Sequence, residues 1–184
     1  MDYWTQLARF SVIETERLIL RPFTFQDSEA FYQIVGKPEN LPFIFPACPD
    51  KVASDYLLTH KFLKQPLGTW AICDKVSLNL LGALSFENRI SHKSSVEIGY
   101  FIKRQSWGQG IMTEALRTIV WFAFNAFGLQ ELTILTHLEN QASQRVAKKA
   151  GFKKQEQFKG SDRFTKKTRH YVRYQMKLGD YHYE

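Results

Sequence analysis

Gln105-Ser-Trp-Gly-Gln-Gly-Ile-Met-Thr113 joins a strand-like segment to a helix-like segment through two closely spaced glycines. The preceding residues, Val96-Glu-Ile-Gly-Tyr-Phe-Ile102, alternate in polarity and are rich in β-forming types, which predicts a strand. After the glycines, apolar residues recur at intervals of three and four, which predicts a helix with one apolar face: Ile111, Ala115, Ile119, Phe122 and Ala126. A glycine-rich turn therefore opens a helix.

This turn has the chemistry of an anion-binding site. The first N–H groups of a helix lack internal partners, and Gly108 and Gly110 have no Cβ to keep a phosphate away from them. A P-loop is excluded, because a lysine would have to precede the helical Thr113 and Met112 stands there. A dinucleotide-binding turn is disfavoured, because the third glycine is missing and Glu131 precedes the next strand instead of ending it. A tight turn without a ligand is the remaining alternative.

The same residues carry a resemblance to a known family. Gln105-x-x-Gly108-x-Gly110 matches the Q/R-x-x-G-x-G/A signature of the GCN5-related N-acetyltransferases (GNAT). The longer Trp107-Gly-x-Gly-x-x-Thr-Glu-Ala115 resembles the RimJ/RimL-type branch of ribosomal-protein N-terminal acetyltransferases. The resemblance extends from Thr15-Glu-Arg-Leu-Ile-Leu-Arg-Pro22 to Gly151-Phe152. It implies an α/β (α+β) fold in one domain over residues 1–184, with a mixed, mostly antiparallel sheet of about seven strands and helices on both faces.

The resemblance also implies acetyl-CoA as cosubstrate, with its pyrophosphate held by the backbone amides of the loop. The residues implied in binding it lie in the loop and the first helical turn, in the preceding strand and at the start of a later helix. They are Ile98, Gly99, Tyr100, Gln105, Trp107, Gly108, Gln109, Gly110, Ile111, Met112, Thr113, Asn140 and Ser143.

Glu97 is the candidate general base. It lies two residues before Gly99 and therefore on the same strand face, and a glycine inside a strand marks a bulge or a close approach to the backbone. An amine must lose a proton before it can attack a thioester, and a carboxylate near a cleft can accept that proton. The resemblance places Glu97 at the position of the family's general base. The alternative is a solvent-facing strand residue paired with a lysine.

The helix predicted over Gln141–Ala150 carries the second catalytic candidate. Asn140 has the position of an N-cap, and the segment resembles the family form N-x-x-S-x-x-x-x-K-x-G-F at Asn140, Ser143, Lys148 or Lys149, and Phe152. In many GNAT enzymes, a tyrosine that protonates the departing thiolate stands four positions after this serine. This chain has Ala147 at that position. The resemblance therefore implies that the Ser143 hydroxyl meets the leaving sulfur. A residue of a capped first turn is the alternative reading of Ser143.

The remaining histidines and cysteines do not suggest another mechanism. His137 and His170 have no acidic residue at motif spacing, which favours ordinary strand-end roles. Cys48 and Cys73 are in no CxxC motif and have no recognisable histidine partner, which argues against a zinc site, a disulfide framework or a covalent intermediate. We therefore expect direct attack of the amine on the thioester, without a metal.

The chain carries a net charge of +7 over 184 residues, and much of the excess follows the glycine turn. The late cations are Lys148, Lys149, Lys153, Lys154, Lys159, Arg163, Lys166, Lys167, Arg169 and Arg173. A positive potential would help to capture a polyphosphate ligand. It would also suit a nucleic-acid-associated module, but no helix-turn-helix, RNA-binding or zinc signature is present, so we expect no nucleic-acid partner.

The acceptor is expected to be a primary amine, with a protein or peptide N-terminus favoured. A small amine such as a polyamine, amino sugar or antibiotic is the first alternative, and a CoA-binding protein without catalysis is a further one. The deciding loops are expected at Glu39–Pro49, Ile90–Ser95 and Phe158–Thr168. No apolar run approaches 18 residues and no signal peptide is recognisable, so we expect a cytoplasmic protein without a membrane partner, as a monomer or homodimer.

The other predicted elements follow from periodicity and from proline and glycine positions. We expect no element in Met1–Ser11, one strand over Ile13–Pro22, a helix from Thr24 to about Val35, a helix over Asp50–Lys64, a hairpin of Thr69–Cys73 with Leu80–Phe86, a strand over Leu132–Thr136, and closing strands Gly151–Gln157 and Arg169–Leu178 around a polar loop, Phe158–Thr168.

Overall fold

The computed structural model describes residues 2–182 and contains one eight-stranded sheet. The helices are α1 (Tyr3–Arg9), α2 (Ser28–Val35), α3 (Lys51–Leu57), α4 (Ile111–Asn125) and α5 (Gln141–Lys149). The strands are β1 (Ile13–Glu14), β2 (Leu18–Arg21), β3 (Thr69–Asp74), β4 (Leu80–Ile90), β5 (Ser95–Ile102), β6 (Glu131–His137), β7 (Lys153–Ser161) and β8 (Thr168–Lys177). Their order is β1-β2-β3-β4-β5-β6-β8-β7.

The sheet is mixed and mostly antiparallel, which confirms the predicted fold class. β5 and β6 run parallel on either side of the α4 crossover, whereas β1–β2, β2–β3, β3–β4, β6–β8 and β7–β8 are antiparallel pairs. A strand, a helix and a parallel strand in succession are what the glycine turn and its flanking periodicities predicted.

The chain forms two compact units, each with residues from two separate segments. The first unit contains Met1–Ser85 and Tyr100–Ala115, and the second contains Phe86–Gly99 and Leu116–Glu184. The assignment of residues 1–184 to a single domain stays a prediction.

The first unit has a phenylalanine-rich core. Phe31 and Phe62 are buried with their ring centroids 5.4 Å apart, and Phe23 packs edge-on to Phe31 at 5.7 Å. Leu58 and Cys73 complete the same cluster from α3's continuation and from β3. This core fixes β2 and β3, and therefore the segment immediately before β2 that reaches the glycine turn.

Two expectations for the start of the chain were wrong. Residues 3–9 form α1 instead of an irregular segment, because the Asp2 carboxylate accepts hydrogen bonds from the amides of Trp4 and Thr5. The single strand expected over Ile13–Pro22 is a tight hairpin of β1 and β2, in which Ile13 pairs with Leu20.

The predicted helices of the first unit are present. Thr24 and Asp27 form a capping box ahead of α2, and the Asp50 carboxylate caps α3 by accepting from the Ala53 amide at 2.8 Å. After α3 the helical hydrogen bonding widens to a π-helical segment, Leu58–Leu63, which the apolar periodicity alone did not indicate.

The second unit has a sheet with one covered and one partly open face. Along β6, Leu132, Ile134 and Thr136 are buried, and the residues between them are half-buried. The loop expected over Phe158–Thr168 is shorter, because β7 continues to Ser161 by pairing with β8.

Within residues 2–182, no helix combines the length and the apolar character that crossing a bilayer requires.

Candidate active site

The glycine turn in the first unit has the backbone geometry of an anion cradle. Gly108 and Gly110 both have left-handed φ angles, +74° and +75°. A residue with a Cβ would be strained in this backbone conformation, whereas glycine adopts it freely. A Cβ built on Gly108 would meet no heavy atom within 4 Å, so the space beside this backbone is open. The first bond of α4 runs from the Glu114 amide to the Gly110 carbonyl at 2.9 Å, which leaves the amides of residues 111–113 ahead of the helical ladder.

The side chains of the first helical turn point into the protein. Ile111 and Met112 are buried, and Thr113 is half-buried. For Ile111 and Met112, therefore, only backbone groups remain for a ligand at this turn. Gln109 lies within the loop, and its side-chain amide donates to the Gln105 carbonyl at 2.9 Å.

A charged clamp from the start of the chain holds the turn. The Glu114 carboxylate accepts from the Thr15 hydroxyl at 2.6 Å and from the Arg17 amide at 2.9 Å. It also accepts from Arg17 Nε at 2.6 Å, and Arg17 Nη1 donates to the Gln109 carbonyl at 2.9 Å. Burial raises the pKa of Glu114, but these hydrogen bonds outweigh it and the pKa is lowered overall. The clamp therefore ties the loop to β2 and the first turn of α4.

A second anchor fixes the other end of the loop. Asn40 is buried, donates to the Ile34 carbonyl at 2.8 Å and accepts from the Arg104 amide at 2.7 Å. The Trp107 indole donates to the Ile102 carbonyl at 2.9 Å, and the Arg104 guanidinium lies 5.1 Å from its ring centroid. The indole therefore stabilises the turn itself, beside any role in ligand binding.

Replacing Glu114 with alanine is expected to lower the thermal midpoint by about 4–8 °C, because it removes the shared acceptor of three donors, at a cost of about 2 kcal/mol. Since the pKa of Glu114 is lowered on folding, its contribution is present above the ordinary glutamate pKa and is lost as the pH falls through the folded value. Thermal unfolding of wild type and variant at pH 7 and below pH 4 checks both points. An unchanged midpoint at pH 7 would contradict this role of the clamp.

In the second unit, Glu97 lies half-buried on β5 opposite Thr133 of β6. Burial raises the pKa of Glu97, and the neighbouring Glu87 raises it further. The charges of Arg163 and Arg173 lower the pKa of Glu97, and so does the side-chain amide of Asn88, whose Nδ2 donates to Glu97 Oε1 at 3.4 Å. The pKa nevertheless remains raised. In place of the lysine of the alternative reading, the charges that act on Glu97 are those of Glu87, Arg163 and Arg173, and a carboxylate with a raised pKa is a stronger proton acceptor.

The backbone around Glu97 is irregular on both sides. Asn88 on β4 has a left-handed φ of +47°, a conformation that asparagine tolerates and that is common at functional sites. The parallel register of β5 and β6 covers Ser95, Val96 and Glu97, although β5 goes on to Ile102 and β6 to His137. Glu97 is therefore the last residue of β5 that is paired with β6, two positions before Gly99.

The start of α5 is capped as predicted. Asn140 Oδ1 accepts from the Ser143 amide at 3.1 Å, so its remaining side-chain group for a ligand is Nδ2. Ser143 is half-buried in the first turn, and Ala147 four positions later is fully buried. The side chain at the position of the family's tyrosine therefore lies in the core.

His137 has an acidic neighbour that sequence spacing could not show. It ends β6, its ring lies 4.7 Å from that of Tyr171, and its Nε2 is 3.7 Å from Asp162 Oδ2. Burial lowers the pKa of His137 more than Asp162 raises it, which favours the neutral ring. The other Asp162 oxygen accepts from the Phe164 amide at 3.1 Å and the Thr165 amide at 2.6 Å, so Asp162 orders the β7–β8 loop.

The predicted site residues fall into two groups. Tyr100 and the loop residues Gln105–Thr113 lie in the first unit, with Thr15, Arg17, Asn40 and Glu114 as supports that sequence reasoning did not assign. Glu97, Ile98, Gly99, Asn140 and Ser143 lie in the second unit, with Glu87 and Asn88 as unforeseen neighbours of Glu97.

Comparison with known proteins settles the family. The sequence model of the acetyltransferase (GNAT) domain family matches residues 17–153 of this chain, from the clamp arginine to the start of β7. The chain belongs to the GNAT acetyltransferase family. This GNAT enzyme is therefore an acyltransferase, as the sequence predicted.

Three relatives illustrate how far the likeness goes. YoaA of Bacillus subtilis, named an uncharacterized N-acetyltransferase, is 28% identical over 79% of this GNAT chain and 85% of its own length. A ribosomal-protein-serine acetyltransferase of Escherichia coli is 30% identical, over 40% of this chain and 41% of its own. The structure of RimL, a ribosomal alpha-N-protein acetyltransferase in complex with coenzyme A, matches with a TM-score of 0.77 at 20% identity, over 90% of this chain and 97% of that one. The last likeness shows the fold.

Proposed function

We propose that this GNAT enzyme binds acetyl-CoA and transfers the acetyl group to the α-amine of a protein or peptide N-terminus. The glycine turn carries the cosubstrate assignment. Two left-handed glycines precede α4, and the place of a Gly108 Cβ is open, as a pyrophosphate held by backbone amides requires. Acetyl-CoA supplies an activated acetyl thioester.

The residues of the first unit are proposed to bind the pyrophosphate of acetyl-CoA and to hold the loop amides in position. The amides of residues 108–113 would donate to the pyrophosphate, and the positive end of α4 favours the negative charge. Arg17, Glu114 and Asn40 keep these amides in place before ligand arrives, so little ordering is lost on binding. The other loop residues proposed to line this site are Gln105, Trp107 and Gln109.

The proton and the thioester end of the cosubstrate are assigned to Glu97, Ser143 and the backbone around Gly99. Glu97 takes the proton of the acceptor amine, directly or through water, and its raised pKa suits that task. The backbone around Ile98, Gly99 and Tyr100 is proposed to hold the pantetheine arm and polarise the carbonyl. Asn140 would contact the cosubstrate, and the Ser143 hydroxyl would support the departing thiolate. No metal is used.

The acceptor assignment rests on sequence likeness. The Trp107–Ala115 segment resembles the RimJ/RimL branch, and a ribosomal-protein-serine acetyltransferase matches 40% of this chain at 30% identity. The basic second unit also disfavours a polycationic amine. We propose the enzyme as a monomer or homodimer that needs neither nucleic acid nor a membrane.

Acceptor competition tests the assignment. The purified enzyme with radiolabelled acetyl-CoA is offered a serine-initiated peptide that also contains lysine, its N-terminally formylated form, and spermidine, glucosamine and an aminoglycoside. We expect label on the free peptide only, at the α-amine as mapped by fragment mass spectrometry. Preferential labelling of a small amine would establish the alternative, and turnover on none of the acceptors despite acetyl-CoA binding would favour a non-catalytic CoA-binding protein.

A further inference from the structure

The positive charge of this protein is concentrated in one hairpin. The segment from Lys153 to Lys177, which contains β7, its loop and β8, has nine lysines and arginines and two acidic residues. Its net of seven positive charges equals the net charge of the whole chain, so the remaining residues are balanced. A ligand attracted by charge would therefore be drawn to this hairpin.

The strand register shows which hairpin residues share a face with Glu97. Glu97 pairs with Thr133, and Thr133 pairs with Gln175. Directly paired residues point to the same side of a sheet, and so do residues two apart along a strand. Arg173 and Tyr171 of β8 therefore lie on the Glu97 face, and both are half-buried.

Arg163 is brought to the same region by the ordered loop. Asp162 holds the loop through the amides of Phe164 and Thr165 and lies beside His137 of β6. Arg163 follows Asp162 directly, and both Arg163 and Arg173 act electrostatically on Glu97. Arg173 forms a half-exposed ion pair with Glu156 at 2.7 Å, and its guanidinium lies 5.5 Å from the centroid of the Phe158 ring. Ion pairs with that exposure are weak.

We propose that Arg163 and Arg173 select acceptor peptides with an acidic residue among the first four positions. This inference rests on the proposed function, because it takes Glu97 as the base that meets the terminal amine. Two strand spacings and two residues along β8 put the Cα atoms of Glu97 and Arg173 about 12 Å apart, which an extended peptide covers in three to four residues. A free amino acid is too short to place its carboxylate there.

The test uses amidated hexapeptides with N-terminal serine that differ at position 3 or 4 by glutamate, glutamine or lysine. We expect kcat/KM to be about five- to tenfold higher for glutamate than for glutamine, mainly through KM, lowest for lysine, and the advantage to shrink in high salt. In Arg173→Glu and in Arg163→Glu the ratio of glutamate to lysine peptide should fall or reverse. Arg163→Glu changes an exposed loop residue, and the thermal midpoint shows that each variant folds.

Lys159→Glu is the matched control. It removes the same charge from the same hairpin, but Lys159 pairs with His170 and therefore lies on the opposite face from Tyr171 and Arg173. The glutamate preference should persist in this variant. An equal effect of Lys159→Glu would mean that only overall charge acts, and would overturn the assignment to the two arginines.

Other results separate the inference from the proposed function. Equal kcat/KM across the peptides overturns the selectivity but keeps the N-terminal acetyltransferase. Acetylation of small amines and of no peptide overturns both. If a single-stranded RNA binds in a salt-dependent way that Arg173→Glu abolishes, while the peptides show no charge preference, the hairpin is a nucleic-acid surface and the proposal fails.

Discussion

Acetyl-CoA at 100 times its dissociation constant is expected to raise the thermal midpoint of the wild-type protein by about 5–10 °C, and Gly108→Val should lose nearly all of that rise. The ligand at this concentration adds about 2.7 kcal/mol, and each kcal/mol is worth about 2–4 °C in a chain of this size. The valine side chain would fill the open space beside the Gly108 backbone that we assign to the pyrophosphate. A hundredfold loss of affinity would leave about 0.4 kcal/mol of stabilisation at the same ligand concentration.

Gly128→Val is the matched control for this result. Gly128 has a φ of +68°, and a Cβ there also meets nothing within 4 Å, so both valines strain the backbone in a similar way without a clash. Each variant should lose about 1–3 kcal/mol of its own stability. Only Gly108→Val should lose the response to acetyl-CoA. If both variants keep the full response, the glycine turn does not hold the cosubstrate, and the assignment fails.

Glu97→Gln is expected to lower kcat/KM by about a hundredfold or more, which is the usual contribution of a general base. Glutamine keeps the shape of the side chain and removes its ability to accept a proton at neutral pH. Initial rates with saturating acetyl-CoA, measured from pH 5 to 10, check this. Activity within about threefold of wild type across that range would show that another group, or solvent, takes the proton.

The thermal midpoint of Glu97→Gln shows whether a folding defect causes its loss of activity. The pKa of Glu97 is raised on folding by burial and by Glu87, so the folded state penalises its charged form. That penalty is absent below the ordinary glutamate pKa and develops as the pH rises through the folded value. Glu97→Gln should therefore have a higher thermal midpoint than wild type near pH 8 and the same midpoint near pH 4.

Glu87→Gln provides the partner experiment. Removing the Glu87 charge should lower the pKa of Glu97, while the opposing effects of Arg163 and Arg173 remain. In a plot of kcat against pH, the rise on the acid side should then move to lower pH, and the plateau at high pH should be retained. A rise that moves to higher pH, or stays in place, would show that Glu97 does not set it.

The chain's own sequence was sufficient for the parts of this protein that depend on neighbours in sequence. Two glycines between an alternating segment and a segment of helical period specify a strand, a left-handed turn and a helix, because those conformations depend on local sterics. The cap at Asn140 was readable for the same reason, since its side chain bonds an amide three residues away. The motif residues of the same turn also carried the resemblance that pointed to the family and the enzyme class.

Tertiary structure decided what holds the site in place. The clamp joins Arg17 and Glu114, which are 97 residues apart, and both are ordinary surface types whose pairing no spacing rule predicts. The neighbours of Glu97 come from β4 and from the β7–β8 hairpin, and the strand register of β5, β6 and β8 is what places Arg173 on its face. The raised pKa of Glu97 is a consequence of that packing, so it could not be derived from residue type.

Errors at element boundaries have the same origin. β7 is polar and rich in lysine, so it has no apolar alternation, and it extends to Ser161 because β8 offers backbone partners there. The run from Ile13 to Pro22 reads as one strand, but it turns back on itself to pair Ile13 with Leu20. The sequence by itself determined the family, the enzyme class and the local conformation of the glycine turn. The tertiary structure alone decided how the turn is braced and which charges act on Glu97, because hydrogen bonds and charge contacts between residues distant in sequence exist only once the chain has folded.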